Sequence, residues 1–153
     1  MSRLLSELHP QVEAMCRTFM AGCAAKGLDV LITCTYRSRA EQDELYAQGR
    51  TKPGKIVTNA KGGQSSHNFT MGGKPASLAF DIVPLRHGKP VWGVTGDGMD
   101  DNPTDDDRDD LELWQRIREV AETAGLASAS RWKTMREWPH FEIQGAAEMR
   151  KQL

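Results

Sequence analysis

The chain has 153 residues, of which 39% are hydrophobic and 27% are charged, and its formal net charge is −1. This composition is ordinary for a globular protein, and the length predicts one domain, residues 1–153, with its own hydrophobic core. No apolar run approaches the roughly 20 residues of a membrane-spanning helix, and the N-terminal segment lacks the apolar stretch of a secretory signal. We therefore expect the protein to accumulate in the cytoplasm and not to insert stably into a membrane.

Acidic charge is concentrated in one segment. Asp97–Asp110 contains eight Asp and one Arg, so it carries −7 and leaves +6 on the rest of the chain. Its aspartates lack the glycine and the distal Glu that an EF-hand places at fixed spacing, which argues against that type of calcium site. We interpret the segment as a solvated loop ahead of a helix N-terminus, with binding of calcium or another ion left open.

The first third of the chain predicts a helix, a strand and a second helix. Pro10 suits the first position of a helix whose apolar residues recur every three or four positions until Gly27 ends it. The β-branched and aromatic run Leu28–Tyr36 predicts a strand. Ser38–Glu41 is a capping box, which predicts a second helix that ends at Gly49.

The remainder predicts short strands, loops and one longer helix. A basic, Gly-containing loop, Arg50–Gln64, precedes an apolar strand at Ala79–Val83 that we expect Pro84 to end. The amphipathic stretch Leu111–Thr123 predicts a helix, and His140–Ile143 predicts a last short strand. Helices that bracket a few short strands indicate an α+β fold with a small, mainly antiparallel sheet.

Two segments carry residues with metal-ligand chemistry. The first contains His67 in a polar stretch and Asp81 inside an apolar strand, and the second contains Glu137 and His140. A carboxylate in an apolar strand must be exposed, paired or metal-bound, because an unpaired buried charge is costly. Taken singly, His140 also fits a core histidine and His67 a hydrogen-bonded loop residue. Taken together, they fit a catalytic zinc site, which has three protein ligands and an open position for water.

The order of these motifs resembles a known family. The segments SSH at 65–67, AFDI at 79–82 and EWPHF at 137–141 resemble the zinc D-Ala-D-Ala carboxypeptidase (VanY-like) superfamily. Within it, the chain looks most like the L-alanyl-D-glutamate endopeptidases used as phage endolysins. The resemblance extends from about Thr33 to Ile143 and implies the same α+β fold, similar to Hedgehog and D-Ala-D-Ala peptidase domains.

The resemblance implies a role for each candidate residue. His67, Asp81 and His140 would hold one zinc ion, and Glu137 would be the general base that moves the proton. For Glu137, the alternative is a surface ion pair with a neighbouring basic residue.

Arg37 and Ser66 are the candidate substrate-binding residues. Arg37 lies between a strand and a helix cap, so its guanidinium can project from a fixed point towards a substrate carboxylate or a developing oxyanion. The matching arginine of the family serves the substrate or the transition state, and a solvated surface arginine is the alternative. Ser66 would either hydrogen-bond the substrate or brace the turn that carries His67.

One feature departs from the family pattern. His67 and Asp81 are fourteen positions apart, about twice the family's usual separation. The extra residues look like an insertion at Thr70–Pro75, whose two glycines and proline favour turns. We expect a loop excursion at the mouth of the site, where it could cover or contact the substrate.

The sequence therefore predicts a zinc peptidase that cuts the stem peptide of bacterial peptidoglycan, with the L-Ala–D-Glu bond favoured. We expect a monomer without a nucleic-acid partner, which acts as an endolysin on the wall after release from the cytoplasm. One alternative is a D-Ala-D-Ala carboxypeptidase or dipeptidase. Another is a non-catalytic zinc-binding structural phage protein, although such a site would need no spare base like Glu137.

Overall fold

The computed structural model describes residues 1–92, 106–134 and 136–151. The helices are α1 (Pro10–Ala25), α2 (Arg39–Ala47), α3 (Asp106–Thr123) and α4 (Ala146–Arg150). The strands are β1 (Asp29–Cys34), β2 (Thr70–Met71), β3 (Lys74–Pro75), β4 (Ala79–Arg86), β5 (Lys89–Pro90), β6 (Leu126–Ser128) and β7 (His140–Ile143). No helix in the described ranges is long and apolar enough to cross a membrane.

The main sheet has the strand order β1-β4-β7-β6, and β5 also pairs with β4. All of these pairs are antiparallel. Strands β2 and β3 form a separate hairpin. The predicted α+β fold with a small antiparallel sheet is confirmed.

The register between β4 and β7 separates a core face from a polar face. Phe80 lies opposite Phe141, and Asp81 lies opposite His140. Because successive side chains of a strand point to opposite faces, the two phenylalanines and the two polar residues leave the sheet on different sides. Phe80 and Phe141 pack on Phe19 of α1, with ring centroids 5.5–6.0 Å apart. Helix α1 therefore covers one face, and Asp81 and His140 lie on the other.

Local signals define the first two helices. Pro10 is the first residue of α1, the side chain of His9 accepts a hydrogen bond from the Gln11 N–H, and Gly27 follows the helix with a φ of 69°. Such a left-handed conformation is accessible to glycine without steric cost. The Ser38–Glu41 capping box opens α2 as predicted, and the helix ends at Ala47.

The expectation that Pro84 ends its strand is wrong, because β4 continues to Arg86. Pro84 pairs with Val30 of β1, while its carbonyl accepts the Val91 N–H on the other side, at 2.9 Å. The N–H and C=O of one strand residue point to the same side, so the N–H that proline lacks faces away from β1. The β1–β4 ladder therefore loses no hydrogen bond.

Two other boundaries differ from the prediction. Helix α3 begins at Asp106, five residues before the predicted start at Leu111. The short helix α4 is absent from the sequence prediction. The acidic sequence favours an early helix start, because aspartates near a helix N-terminus interact well with its dipole. Residues 97–105 of the predicted acidic loop lie outside the described residues.

The inserted segment Thr70–Pro75 is a β-hairpin rather than an irregular loop. Gly72 and Gly73, with φ values of 57° and 76°, form the turn between β2 and β3. At the base, the Ala76 N–H donates to the Phe69 carbonyl at 3.0 Å, and both residues are buried. None of the six inserted residues lines the cavity described below. The expectation that they border the mouth of the site is therefore wrong, because the Gly-Gly turn pairs the segment with itself.

We expect that replacing residues 70–75 by Asn-Gly leaves the site intact. Phe69 and Ala76 are already a hydrogen-bonded pair, which a two-residue turn can connect. Shortening a closed loop changes its closure cost by only about 1 kcal/mol or less. If the chain is the zinc peptidase that the sequence predicts, zinc content and the rate of muropeptide cleavage should match those of the unaltered protein, and a melting curve should show a small shift. Loss of zinc would contradict this result and make the hairpin part of the support for His67.

Candidate active site

Three potential ligand atoms converge on the polar face of the sheet. His67 lies in a 3₁₀ turn at Ser66–Asn68, Asp81 lies on β4 and His140 on β7. The His67 Nε2 atom is 3.2 Å from Asp81 Oδ1 and 3.2 Å from His140 Nδ1. The third edge, from His140 Nδ1 to Asp81 Oδ1, is 3.3 Å. The three atoms thus form a nearly equilateral triangle.

The turn that carries His67 is held at both ends. The Ser65 side chain accepts the His67 N–H, and the Asn68 side chain accepts the Ser65 N–H, which together make a capping box. The Arg37 N–H donates to the His67 carbonyl at 3.0 Å, and the Leu78 N–H donates to the Ser66 carbonyl at 3.0 Å. These bonds tie the turn to the segments that follow β1 and precede β4.

Hydrogen bonds at the outer nitrogens set the tautomer of each imidazole. His67 lies 2.7 Å from the Thr35 carbonyl through Nδ1, which must therefore carry the hydrogen, so Nε2 presents a lone pair. His140 Nε2 lies 2.7 Å from Glu142 Oε1 and donates to it, so Nδ1 presents a lone pair. Both lone pairs belong to the triangle with Asp81. This pattern is typical of metal-ligating histidines, whose second nitrogen donates to a carbonyl or carboxylate.

The triangle fits zinc. Tetrahedral coordination with bonds of about 2.0–2.1 Å places neighbouring ligand atoms about 3.3 Å apart, and two imidazoles with one carboxylate are a common catalytic ligand set. Cys34, His67 and Asp81 also form a cluster with atoms within 4.8 Å of one another. However, the Cys34 Sγ atom lies 3.8 Å from His67 Nδ1, the nitrogen bonded to Thr35. His140 is therefore the better third ligand.

The two charged partners of the triangle perturb each other strongly. Burial would lower the pKa of His67, but the adjacent Asp81 carboxylate outweighs burial and raises it to about 10. Burial would raise the pKa of Asp81, but His67 and His140 hold it well below its usual range. The three side chains thus favour a positive charge at their centre. At low pH, protons would compete with a metal ion for the same ligand atoms.

Glu137 lies beside the triangle without being part of it. Its Oε2 atom is 4.0 Å from His140 Nδ1, and its N–H donates to the Ala129 carbonyl at 3.3 Å. Burial raises the pKa of Glu137, partly offset by His140, which suits a base that must hold a proton near neutral pH. The alternative of a surface pair with Arg136 or Lys133 is not what the structure shows, since the ion pair of Glu137 among the described residues is with His140, and Arg136 Nε donates to the Trp132 carbonyl.

Arg37 points into the site and is held by neighbouring groups. Its Nη1 atom donates to Gln42 Oε1 at 2.9 Å, and its Nη2 atom lies 3.6 Å from Asp81 Oδ2. Its side chain is 12% exposed, so it is not the solvated surface arginine considered as the alternative. Gln42 is fully buried and also donates to the Ala60 carbonyl at 2.8 Å. One amide thus connects Arg37 to the loop that forms a wall of the cavity.

We expect Gln42→Leu to lower both stability and activity. The substitution leaves Arg37 Nη1 and the Ala60 carbonyl without this partner, and because both are half-buried each loss should cost at most about 1–3 kcal/mol. The melting temperature and kcat/KM on a soluble muropeptide should both fall, whereas Gln144→Leu at an exposed position should change neither. Unchanged kcat/KM would mean that Arg37 does not need this contact.

Ser66 is brought to the edge of the site, but its hydroxyl already has partners. Its Oγ atom lies 3.3 Å from Glu142 Oε1 and accepts a hydrogen bond from Arg150 Nη1. Ser66 is 3% exposed. The sequence left two roles open for Ser66, substrate binding and bracing. The geometry favours bracing.

Sequence reasoning missed Glu142, Gln42 and Arg150. Glu142 had a readable signal, because in β7 Phe141 and Ile143 are apolar and alternate with His140 and Glu142. A carboxylate two positions after a ligand on a strand lies on the same face as that ligand. Gln42 and Arg150 carried no such signal, since their partners are distant in sequence.

A cavity of about 600 Å³ opens over these groups. Arg37, Asp81, Glu137 and both histidines line it, and the loop at residues 57–60 forms one wall. On another side, the indole of Trp132 lies 5.2 Å from the His140 ring and is 36% exposed. The volume is within the range of small-molecule and peptide sites.

Two imidazoles and a carboxylate in ligand geometry, a second carboxylate beside them and an open cavity are the features of hydrolytic metal sites, in which a general base lies beside a catalytic metal. Residues 5–88 match the family model described as VanY, D-alanyl-D-alanine carboxypeptidase. The chain is also 39% identical, over 139 residues, to the peptidoglycan L-alanyl-D-glutamate endopeptidase CwlK of Bacillus subtilis (strain 168). That alignment covers 90% of this chain and 74% of CwlK. The chain therefore belongs to the VanY family of peptidases.

Solved structures support the same fold. The L-Ala D-Glu endopeptidase ChiX of Serratia marcescens superposes with a TM-score of 0.55 at 15% identity, covering 92% of this chain and 83% of ChiX. The LD-carboxypeptidase LdcB superposes with a TM-score of 0.58 at 15% identity, covering 95% of this chain and 64% of LdcB. At this identity the likeness concerns the fold alone.

Proposed function

We propose that this protein is a zinc-dependent endopeptidase that cuts the L-Ala–D-Glu bond of the peptidoglycan stem peptide. The observation that carries the proposal is the convergence of His67 Nε2, Asp81 Oδ1 and His140 Nδ1 at 3.2–3.3 Å, with Glu137 beside them. The choice of bond is supported by the 39% identity to CwlK over most of the chain.

In the proposed mechanism, His67, Asp81 and His140 hold the zinc ion. Bound there, zinc would lower the pKa of a water molecule and polarise the scissile carbonyl. Glu137 accepts the proton of the attacking water and then donates it to the leaving amine of D-Glu. A positioned acid–base group of this kind contributes about 10²–10⁴-fold to the rate.

Arg37 supplies positive charge to the same reaction. Its guanidinium is oriented by Gln42 and by Asp81, so little reorganisation is needed when negative charge develops nearby. In the proposal it stabilises the oxyanion or a substrate carboxylate in the cavity. Its planar group of donors suits either anion.

Mass spectrometry of digested muropeptides tests the proposal directly. Cleavage after L-Ala leaves the rest of the stem peptide with a free D-Glu amine, and a chelator should abolish this product until zinc is restored. Release of a terminal D-Ala alone would instead favour the carboxypeptidase that the family description names. Identical cleavage by metal-free protein would overturn the zinc mechanism.

A further inference from the structure

A chain of hydrogen bonds connects the C-terminal helix to a proposed zinc ligand. Arg150 of α4 donates from Nη1 to the hydroxyl of Ser66. Ser66 lies 3.3 Å from Glu142 Oε1 and donates to it, and the same oxygen accepts the Nε2–H of His140 at 2.7 Å. In this series of hydrogen bonds each donor meets an acceptor, although 84 residues separate Ser66 from Arg150.

Burial makes these contacts costly to lose. Ser66 and His140 are 3% and 6% exposed, and the side chain of Glu142 is 12% exposed. A carboxylate in such a place needs compensating partners, which are the imidazole N–H, the hydroxyl and the positive charge of Arg150. Removing one partner would leave the others with fewer hydrogen bonds, at a place that borders the cavity and is otherwise buried.

We propose that Arg150, Ser66 and Glu142 are positioning residues that act through His140. Glu142 holds the imidazole in the tautomer and orientation that direct Nδ1 towards His67 and Asp81, and Ser66 with Arg150 holds Glu142. The inference rests on the proposed zinc site. It assigns the Ser66 hydroxyl to the support of a ligand, because its only donor hydrogen is given to Glu142 and it accepts a hydrogen bond from Arg150.

The first test is the zinc affinity of Glu142→Gln, measured by competition with a chromophoric chelator in the absence of substrate. The substitution removes the negative charge of Glu142 and leaves at best a weaker, neutral hydrogen bond to His140. Mutation of such an outer partner typically weakens metal binding by about 10–100-fold, and we expect a loss in that range. The matched control is Glu148→Gln, which makes the same change at a side chain that is 77% exposed on α4. Equal zinc affinity in both variants would overturn the proposal.

The second test separates support of His140 from contact with substrate. Ser66→Ala should weaken zinc binding, and together with Glu142→Gln it should have less than the additive effect, because both interrupt one chain. An Ser66→Ala variant with a higher KM and unchanged zinc affinity would overturn the proposal in favour of substrate binding. The measurement on Ser66→Ala alone also stands if Glu142→Gln fails to fold.

A spectroscopic readout reports on His140 itself. In zinc-loaded protein labelled with ¹⁵N-histidine, the Nε2–H resonance of His140 should lie downfield because it is bonded to a carboxylate. In Glu142→Gln it should move upfield or broaden, while the Nδ1–H resonance of His67, bonded to Thr35, should stay in place. No movement of the His140 resonance would overturn the proposal. If the variants bind zinc more weakly but the unaltered protein does not cleave peptidoglycan, the positioning role is supported and the proposed function is rejected.

Discussion

Glu137→Gln is expected to keep its zinc and its fold while kcat for stem-peptide cleavage falls by about 10²–10⁴-fold. The amide has nearly the same volume as the carboxylate but cannot accept the proton of the attacking water. Because Glu137 lies 4.0 Å from His140 Nδ1 and outside the ligand triangle, its loss should not release the metal. Metal analysis and single-turnover kinetics on a purified muropeptide would measure the two effects separately.

The control for Glu137 is Glu119→Gln, which makes the same change at an exposed position of α3. It should leave both zinc content and kcat unaltered. Turnover by Glu137→Gln close to that of the unaltered protein would remove Glu137 from the mechanism. Loss of zinc from Glu137→Gln would instead make it a fourth ligand.

His67→Ala is expected to lose zinc and activity together. His67 contributes two of the three edges of the ligand triangle, so the substitution leaves only Asp81 and His140 facing each other. We expect zinc affinity to fall by more than the roughly 10–100-fold caused by loss of an outer hydrogen-bond partner. Elemental analysis should find about one zinc per chain in the unaltered protein and much less in the variant. Added zinc should restore the chelated wild-type protein but not the variant.

Two further variants make this result specific. His87→Asn alters an exposed histidine in the β4–β5 turn, where φ is 53° and asparagine is well tolerated, and it should keep full zinc content. Cys34→Ser should also keep zinc, because the thiol lies on the Nδ1 side of His67. If Cys34→Ser lost its zinc and His67→Ala kept it, the metal would be bound at a different site.

Some properties of this protein could be read from short stretches of sequence. The Pro10 start of α1 and the Ser38–Glu41 capping box were predictable because helix ends depend on neighbouring residues. The family was also recognisable, since three short motifs in order suffice for it. The endolysin role stays a prediction of that resemblance, and accumulation in the cytoplasm stays a prediction from the composition of the N-terminal segment.

Other properties depended on packing between distant segments. Pro84 was expected to end β4, yet it is tolerated because its missing N–H faces away from β1, which depends on the register. The six-residue insertion was expected at the mouth of the site, but the Gly72–Gly73 turn folds it into a hairpin away from the cavity. Neither outcome follows from composition.

The sequence by itself determined which chemical groups are available: two histidines, two carboxylates and an arginine, on segments whose type was largely predictable. Only the tertiary structure decided how they meet. The β4–β7 register places Asp81 opposite His140, and the turn after Ser65 brings His67 within 3.2 Å of both. Long-range contacts of this kind also recruited Arg150, because a hydrogen bond depends on distance in space and not on separation along the chain.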